Sequence, residues 1–272
     1  MAVTIADIQH LRKMTGAGMM DCKNALNEAN GDFDKAVEII RKKGQAVAAK
    51  REDRDASEGC VLAKTEGNFA AVVALQCETD FVAKNEEYIA LTRQILDAAV
   101  EHKPATKEEL LAIELPGGTV SQLITDKMAS TGEKMELGYY EQLTAPFVTS
   151  YVHMGNKLAS IVGFNKEADE QVAKDVAMQV AAMNPIAITP EGIPAEVKEQ
   201  ELNIAREKAR EAGRPENLLD RIAEGSLQKF YKEYTLLLQE YVKEPKKSIE
   251  EFLKENDKEL SVVSFKRVSL SV

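Results

Sequence analysis

Residues 69–84 read FAAVVALQCETDFVAK, an apolar run followed by a polar turn and a helical pattern. The run from Phe69 to Cys77 predicts a strand buried in a sheet. A second strand is predicted just before it, from Cys60 to Lys64, with a turn at Glu66-Gly67-Asn68 between the two. A helix over roughly residues 82–102 is predicted to follow the run.

The join at Thr79-Asp80-Phe81-Val82-Ala83-Lys84 has two interpretations. In the first, Thr79 or Asp80 caps the helix while Phe81 and Val82 pack on its first turn. In the second, the segment is a rigid loop that offers an aromatic side chain beside a carboxylate, an anchor typical of protein interfaces. The local pattern alone favours the first interpretation.

Three short helices are predicted before the strands, in residues 1–43. Thr4 and Asp7 have the spacing of a capping box. Apolar residues then recur at helical spacing, at Ile5, Ile8, Leu11 and Met14. Gly16 and Gly18 break this first helix, Asp32 caps the third, and we expect the third helix to end at Gly44. About 40 residues is small for an independent core, which favours a docking module followed by a charged linker at 44–57.

Met19 and Met20 stand beside the glycine turn of this module. Adjacent methionines cannot both face one small core, so one of them is a candidate for an exposed, adaptable contact. The alternative, that both are partly buried, is equally compatible with the pattern.

Helices are predicted beyond the first strands at 106–112 and 120–129. Three strands follow at about 134–144, 147–154 and 157–164, the last two as a hairpin around Gly155-Asn156. After a helix at 168–182, two charged helices at 194–212 and 216–234 have only a narrow apolar seam, which suits a protruding antiparallel hairpin or coiled coil. A helix at 246–255 and a strand at 260–270 close the chain.

These elements predict an α+β protein with a three-helix head and a two-part core of small antiparallel sheets packed with helices. The corresponding division of the chain has five parts. They are a head and linker at 1–55, a first core subdomain at 56–140, a second core subdomain in two parts at 141–188 and 230–272, and a helical hairpin at 189–229.

The charge balance argues against a nucleic-acid binder. The 272 residues include 35 Lys and Arg against 45 Asp and Glu, a formal net charge of −10. Proteins that bind duplex nucleic acid normally carry a basic footprint instead. The acidity lies in the body, because residues 1–55 hold 10 basic and 9 acidic side chains while the rest holds 25 and 36.

No catalytic, metal or cofactor site is indicated. The three histidines lie outside metal-binding spacings, and Cys22, Cys60 and Cys77 are odd in number and lack a CxxC motif, which predicts small buried thiols. No apolar run reaches about 18 residues, and the N-terminus lacks a signal pattern, so we expect a cytoplasmic protein without a membrane span. The default is a protein that works by binding rather than an enzyme.

Two long motifs resemble signatures of the elongation factor Ts family. One is Leu11-Arg12-Lys13-Met14-Thr15-Gly16-Ala17-Gly18-Met19-Met20-Asp21-Cys22-Lys23. The other is the Thr79 to Lys84 join described above. The resemblance continues through Asn30-Gly31-Asp32, Ser150-Tyr151-Val152-His153 and Glu224-Gly225-Ser226-Leu227-Gln228-Lys229-Phe230, and so covers essentially the whole chain.

The resemblance implies a guanine nucleotide exchange factor for elongation factor Tu, which it would bind in the GDP-bound and nucleotide-free forms, with no cofactor or metal of its own. It implies a UBA-like head that docks on the GTPase domain. Asp80 and Phe81, shaped by Thr79 and Val82, would wedge between two partner helices, disturb the Mg²⁺ and phosphate contacts, and so release GDP.

The resemblance also implies partner contacts from Arg12, Met19 and Met20 of the head. His153, at the end of a hairpin strand, matches a family position that contacts the partner, although a lone histidine at a strand end is as often structural. In some relatives the insertion that matches residues 189–229 mediates self-association, which leaves a homodimer through this hairpin open.

Two other functions remain as alternatives. The first is a non-catalytic binding adaptor or chaperone of a translational GTPase, since small three-helix heads are docking modules generally. The second is a hydrolase, which the lack of any nucleophile, base or metal constellation disfavours. We expect no direct binding to nucleic acid.

Overall fold

A computed structural model describes residues 3–270 of the chain. Its helices are α1 (Ile5–Thr15), α2 (Met19–Glu28), α3 (Phe33–Ala49), α4 (Asp80–Ala83), α5 (Glu86–His102), α6 (Lys107–Ala112), α7 (Val120–Thr131), α8 (Glu170–Met183), α9 (Ala195–Glu211), α10 (Leu219–Tyr234) and α11 (Ile249–Asn256). Its strands are β1 (Glu58–Glu66), β2 (Phe69–Cys77), β3 (Glu114–Leu115), β4 (Gly118–Thr119), β5 (Met135–Thr144), β6 (Phe147–Val152), β7 (Leu158–Phe164), β8 (Glu240–Tyr241), β9 (Glu244–Ser248) and β10 (Val262–Ser269). The predicted α+β class is confirmed.

Two antiparallel three-stranded sheets form the body, in the orders β1-β2-β5 and β10-β7-β6. The central strand β2 is buried along nearly its whole length. Because side chains alternate between the two faces of a strand, one set from β2 faces the helices and the other faces the second sheet. This double burial explains the unbroken apolar run from Phe69 to Leu75.

The body therefore has four layers. Side chains from one face of β2 pack with α5 and α7 in a core that includes Val73, Leu75 and Tyr88. Side chains from its other face, including Val72, meet Ile161 and other residues of the second sheet. The outer face of the second sheet is covered by α8 and α11. Both sheets are thus buried on both faces, which fixes the loops at their edges relative to one another.

The predicted helix at 82–102 is in fact two helices. The short α4 ends at Ala83, and α5 begins at Glu86 after Asn85, whose side-chain oxygen accepts hydrogen bonds from the backbone N–H groups of Glu87 and Tyr88. This cap starts a new helix, which apolar spacing alone does not reveal. Tyr88 is buried and donates its hydroxyl hydrogen to the Leu75 carbonyl, 2.6 Å away, so α5 is tied to β2.

The head consists of α1, α2 and α3 around its own small core, which includes Leu11, Cys22 and Leu26. The predicted capping box of Thr4 and Asp7 and the cap at Asp32 are confirmed. Two of the four residues predicted to share the core face of α1, Ile5 and Met14, are instead exposed. The core accepts only one turn of α1, from Ile8 to Leu11.

The prediction that the third helix ends at Gly44 is wrong, because α3 continues to Ala49. Gly44 lies where α3 crosses α7, and a Cβ at this position would stand 3.1 Å from the Ala129 Cβ. The glycine is therefore a close-packing site rather than a stop signal. Arg41 donates a 2.7 Å hydrogen bond to the Gly117 carbonyl, which also joins the head to the body. The non-helical linker is shortened to residues 50–57.

Helices α9 and α10 pack against each other through a narrow seam that includes Ala205, Ala209 and Ala223. Arg206 pairs with Asp220 at 2.7 Å across this pair of helices. The second helix begins at Leu219, because residues 216–218 form a single 3-10 turn rather than the first turn of the predicted 216–234 helix. The coiled-coil character of this pair, the UBA-like character of the head and the five-part domain division remain predictions.

The three cysteines are free and buried, as predicted for small apolar side chains. Burial raises the pKa of the Cys60 thiol to about 11, which keeps it protonated and unreactive. The two-stranded pairs β3-β4 and β8-β9 were absent from the sequence-based prediction, since strands of two to five residues carry too little periodicity to detect.

Candidate functional site

The loop after β2 places Phe81 in solvent. Thr79 caps α4, since its hydroxyl oxygen accepts a hydrogen bond from the Val82 backbone N–H, and Ala83, the last residue of the helix, is buried. Phe81 is 85% exposed, while Val82 is half-buried against the core. Of the two sequence interpretations, capping by Thr79 is confirmed, but packing of Phe81 on the first turn is wrong. The second, an exposed aromatic beside a carboxylate, describes the observed geometry.

Glu133 holds this loop from one side. Its two carboxylate oxygens accept hydrogen bonds from the backbone N–H of Thr79 at 3.1 Å and from the Thr79 hydroxyl at 2.7 Å. Glu133 follows the end of α7, which Gly132 terminates with a left-handed φ of 74°. The loop is thus bonded to a segment 54 residues away in the chain.

Glu78 holds the same loop from the other side. Its carboxylate accepts hydrogen bonds from Arg51 and Arg54, both at 2.9 Å, and from the Lys134 backbone N–H at 2.6 Å. Desolvation opposes ionisation of this carboxyl, but these donors outweigh it and lower its pKa to about 2. Glu78 is therefore ionised at neutral pH and ties the loop to the linker that follows the head.

Asp80 stands beside Phe81 on the outer surface. Its carboxylate pairs with Lys84 one turn later, at 2.6 Å, and the hydrogen bond from Lys84 lowers the Asp80 pKa. The pair is open to solvent, so Lys84 can exchange Asp80 for another partner at little cost. The loop consequently presents an apolar ring and an available carboxylate side by side.

The predicted head contacts lie at the turn between α1 and α2. Gly16 ends α1 with a left-handed φ of 69°, and α2 begins at Met19. The buried face of α2 starts at Cys22, which leaves both methionines in solvent, with Met20 64% exposed. Neither methionine is a core residue; Met20 is the more exposed of the two, and Met19, 39% exposed, is partly covered. Arg12 is exposed on the last turn of α1.

Electrostatics connects Arg12 to the body next to the loop. Glu87, in the first turn of α5, pairs with Lys127 at 2.7 Å, and Arg12 acts with Lys127 to lower its pKa. Helix α5 begins three residues after α4 ends. The same end of the head, at Gly16, lines a cavity together with Leu91 of α5 and Lys127 of α7, which places the head turn against these two helices.

His153 lies on the second sheet, at the tip that joins β6 to β7. Its exposed ring is within hydrogen-bond distance of Tyr151, with 3.0 Å between Nδ1 and the phenol oxygen. The tip is anchored to the first sheet, because the Val61 N–H donates to the Asn156 carbonyl at 2.7 Å and Lys157 pairs with Glu58. The partners of His153 belong to its own hairpin, and Lys157 at the same tip pairs with Glu58, the β1 residue that lies opposite Cys77 at the end of β2.

Three residues of this surface escaped the sequence analysis. In the sequence, Glu78 and Glu133 do not stand out from the other acidic residues. Met154, 89% exposed beside His153, falls within the strand predicted at 147–154. An exposed methionine at a rigid tip is a typical adaptable contact. The signal that could have found it is the Gly155-Asn156 turn. The strand before this turn ends at Val152, two residues earlier than predicted, which leaves Met154 in the tip.

Two exposed apolar side chains, Phe81 and Met154, stand on this surface. Among residues 3–270, no three His, Cys, Asp or Glu side chains are grouped so that they could hold a metal ion. Within the same range, no helix is long and apolar enough to cross a membrane. Exposed aromatic and methionine side chains on fixed elements are instead what an interface anchor requires.

Comparison with known proteins identifies the family of this chain. A family described as Elongation factor TS matches residues 78–271, a segment that begins directly before the 79–82 loop. The chain belongs to the elongation factor Ts family. The Elongation factor Ts of Porphyromonas gingivalis is 62% identical over 272 residues, which are 100% of this chain and 99% of that one.

Other members of the elongation factor Ts family extend the match. That of Azobacteroides pseudotrichonymphae is 56% identical over 273 residues and 100% of both chains. That of Bacteroides fragilis is 48% identical over 327 aligned positions and 99% of both chains. Membership makes this chain a translation elongation factor, with nucleotide exchange for elongation factor Tu as its general role.

Proposed function

We propose that this chain releases GDP from elongation factor Tu by inserting Phe81, with Asp80 beside it, between two helices of the GTPase domain. The observation that carries the proposal is an aromatic side chain 85% exposed on a loop fixed from two sides. A free loop would fold such a ring back onto apolar surface, whereas this one cannot. The ring is therefore held ready for a partner.

The mechanism uses only the geometry of binding. A GTPase holds GDP through phosphate-loop amide groups, a lysine and Mg²⁺. A protein that binds the nucleotide-free partner more tightly than the GDP-bound partner must weaken GDP binding by the same factor, because the coupling between two ligands is reciprocal. Displacement of the helices next to the Mg²⁺ site supplies this coupling, and no covalent step is required.

The energy scale fits a wedge assisted by other contacts. Burial of a phenylalanine side chain contributes about 1.5–3 kcal/mol. This amount changes an affinity by roughly ten- to a hundredfold. Thr79 and Val82 would support the wedge, while Arg12, Met19 and Met20 of the head and His153 at the hairpin tip would add affinity for the partner.

The same proposal covers the setting of the interaction. The partner would be bound in its GDP-bound and nucleotide-free states in the cytoplasm, where translation takes place. The acidic body fits a protein that handles a GTPase without contacting the tRNA it carries. A homodimer through residues 189–229 is a separate proposal, which light scattering on the intact chain tests directly.

Stopped-flow release of fluorescent GDP from elongation factor Tu tests the wedge. Phe81→Ala should lower the release rate at saturating exchange factor by roughly ten- to a hundredfold. Tyr139→Ala is the matched control, because Tyr139 is an exposed aromatic on β5 and should leave the rate unchanged. A folded Phe81→Ala variant that releases GDP at the normal rate would contradict the wedge.

The same titration separates exchange from plain binding. If the wild-type chain binds elongation factor Tu but leaves the rate of GDP dissociation unchanged, the adaptor or chaperone function is the correct one. Acceleration of release by catalytic amounts of the chain excludes it.

A further inference from the structure

Two glutamates hold the 79–82 loop in place, and neither belongs to the surface expected to touch the partner. We propose that Glu133, together with Glu78, is a positioning residue that holds Phe81 in the orientation needed for GDP release. The inference rests on the proposed function, since it assumes that Phe81 acts as the wedge. It gives a role to Thr131-Gly132-Glu133-Lys134, a stretch that lacks the spacing of a phosphate-binding loop.

The loop cannot hold its own orientation. Helix α4 has four residues, and a single turn is too short to be stable alone. Ala83 and Val82 anchor its inner side to the core, while its outer side carries Phe81 in solvent. The restraint comes at Thr79, the residue that caps the turn.

Glu133 is placed to supply this restraint. Both of its oxygens are used on Thr79, one by the backbone N–H and the other by the hydroxyl. Two hydrogen bonds from a single residue, one from its backbone and one from its side chain, fix its orientation as well as its position. The left-handed turn at Gly132 directs the chain so that Glu133 reaches the loop.

Glu78 and Lys134 form the second part of this restraint. Together with Glu133 they are called the clamp. The Lys134 N–H donates to Glu78, while the Lys134 ammonium donates to the carbonyls of Glu52 and Arg54, both at 2.9 Å. Arg51 and Arg54 donate back to Glu78. Three segments are therefore joined around the loop: the linker of the head, the end of β2 and the end of α7.

A fixed anchor binds better than a mobile one, because less freedom is lost when it docks. It also transmits force to the partner helices, whereas a mobile ring could bury itself without displacing them. The clamp should therefore affect the maximal rate of GDP release more than the concentration that gives half of that rate. This concentration depends on all contacts, including those of the head.

A double-mutant cycle on intact chains tests the proposal. Glu133→Ala should lower the maximal release rate by roughly three- to tenfold, with little change in the half-saturating concentration. Glu133→Gln, which keeps one acceptor oxygen, should fall between Glu133→Ala and wild type. In a Phe81→Ala background, Glu133→Ala should have no further effect, since there is no ring left to position. Glu141→Ala is the matched control, an acid paired with Lys266 elsewhere on β5.

The outcomes are distinguishable. A loss from Glu133→Ala that persists undiminished in the Phe81→Ala background would overturn the positioning role, because it would then reflect general damage. A full rate with folded Glu133→Ala, beside a reduced rate with Phe81→Ala, would overturn the inference while leaving the proposed function intact. A normal rate with Phe81→Ala would overturn both. If Glu133→Ala fails to fold, the same cycle with Glu133→Gln decides the question.

Discussion

The 79–82 loop and the head turn at 15–20 each expose an apolar side chain, but they differ in the contacts that hold the backbone beside it. Each presents an apolar side chain from the second position of a helix, Phe81 in α4 and Met20 in α2. The loop is capped by the Thr79 side chain and clamped by two glutamates. The head turn has Gly18 as its N-cap, with no side-chain hydrogen bond. The ring therefore stands on a loop bonded to distant segments, whereas the thioethers stand next to a turn that Thr15 and Cys22 bond within the head.

This difference indicates that the two regions contribute differently to nucleotide exchange. A rigid aromatic side chain can displace structure in a partner, whereas methionine adapts to the surface it meets. The core beneath each region differs as well. The loop stands on the large core that includes Leu75 and Tyr88, while the head has only the small cluster around Leu11. We therefore expect the loop to set the rate of GDP release and the head to set affinity.

The largest effect should come from Leu11→Ala, which empties the centre of the head core. Leu11 is fully buried, and truncation of such a side chain costs about 2–5 kcal/mol. In a core this small, that loss should unfold the head while the body stays folded. Hydrogen exchange should show lost protection in α1 to α3 only. Equal loss of protection in β2 would contradict the separation of head and body.

Acid should weaken the clamp through Glu78. The folded-state pKa of about 2 lies below the usual 4.5, so the ion pairs of Glu78 stabilise the fold above pH 4.5 and lose that contribution as pH falls towards 2. Glu78→Gln should lower the free energy of unfolding by about 2 kcal/mol at pH 7, after allowance for partial solvent contact. Urea unfolding at several pH values should show this difference shrinking below pH 4.5. A difference that stays constant down to pH 2 would rule out the ionised clamp.

Removal of both head methionines should change affinity alone. The double substitution Met19→Ala, Met20→Ala should raise the half-saturating concentration for GDP release by about tenfold, at an unchanged maximal rate. Met183→Ala is a control, since Met183, at the end of α8, is exposed to about the same degree as Met19. A lower maximal rate in the double variant would show that the head also takes part in displacement.

The smallest effect should come from the hairpin tip. His153→Ala should raise the half-saturating concentration by about two- to threefold, as expected for one exposed polar contact. Tyr151→Phe removes the hydroxyl that lies 3.0 Å from His153 Nδ1 but keeps the ring. It should have little effect if His153 contacts the partner directly. If Tyr151→Phe matches His153→Ala, the histidine has a structural role instead.

Much of the fold could be predicted because the relevant signals are local. The buried strand at 69–77, the capping box at Thr4 and Asp7, and the cap at Asp32 each depend on residues within a few positions. Gly44 shows where prediction from local sequence fails. Glycine suits a helix end in isolation, but here the space that it leaves is occupied by Ala129 of α7, a contact between distant segments.

The candidate site shows the same limit. Thr79 could be recognised as a cap from its own neighbours, but the exposure of Phe81 depends on what lies around the loop. Glu133 reaches Thr79 from 54 residues away, and Glu78 meets the linker from 24 to 27 residues away. In an acidic chain neither glutamate stands out, so their role could be recognised only from the folded structure.

The most direct test is the rate of GDP release from elongation factor Tu as a function of exchange-factor concentration. It should be measured side by side for wild type, Phe81→Ala and the Met19→Ala, Met20→Ala variant. We predict that Phe81→Ala lowers the plateau by roughly ten- to a hundredfold with a near-normal half-saturating concentration, while the methionine variant does the reverse. If both variants change the same parameter, or if Phe81→Ala leaves the plateau intact, the division between a rigid wedge and an adaptable head is wrong.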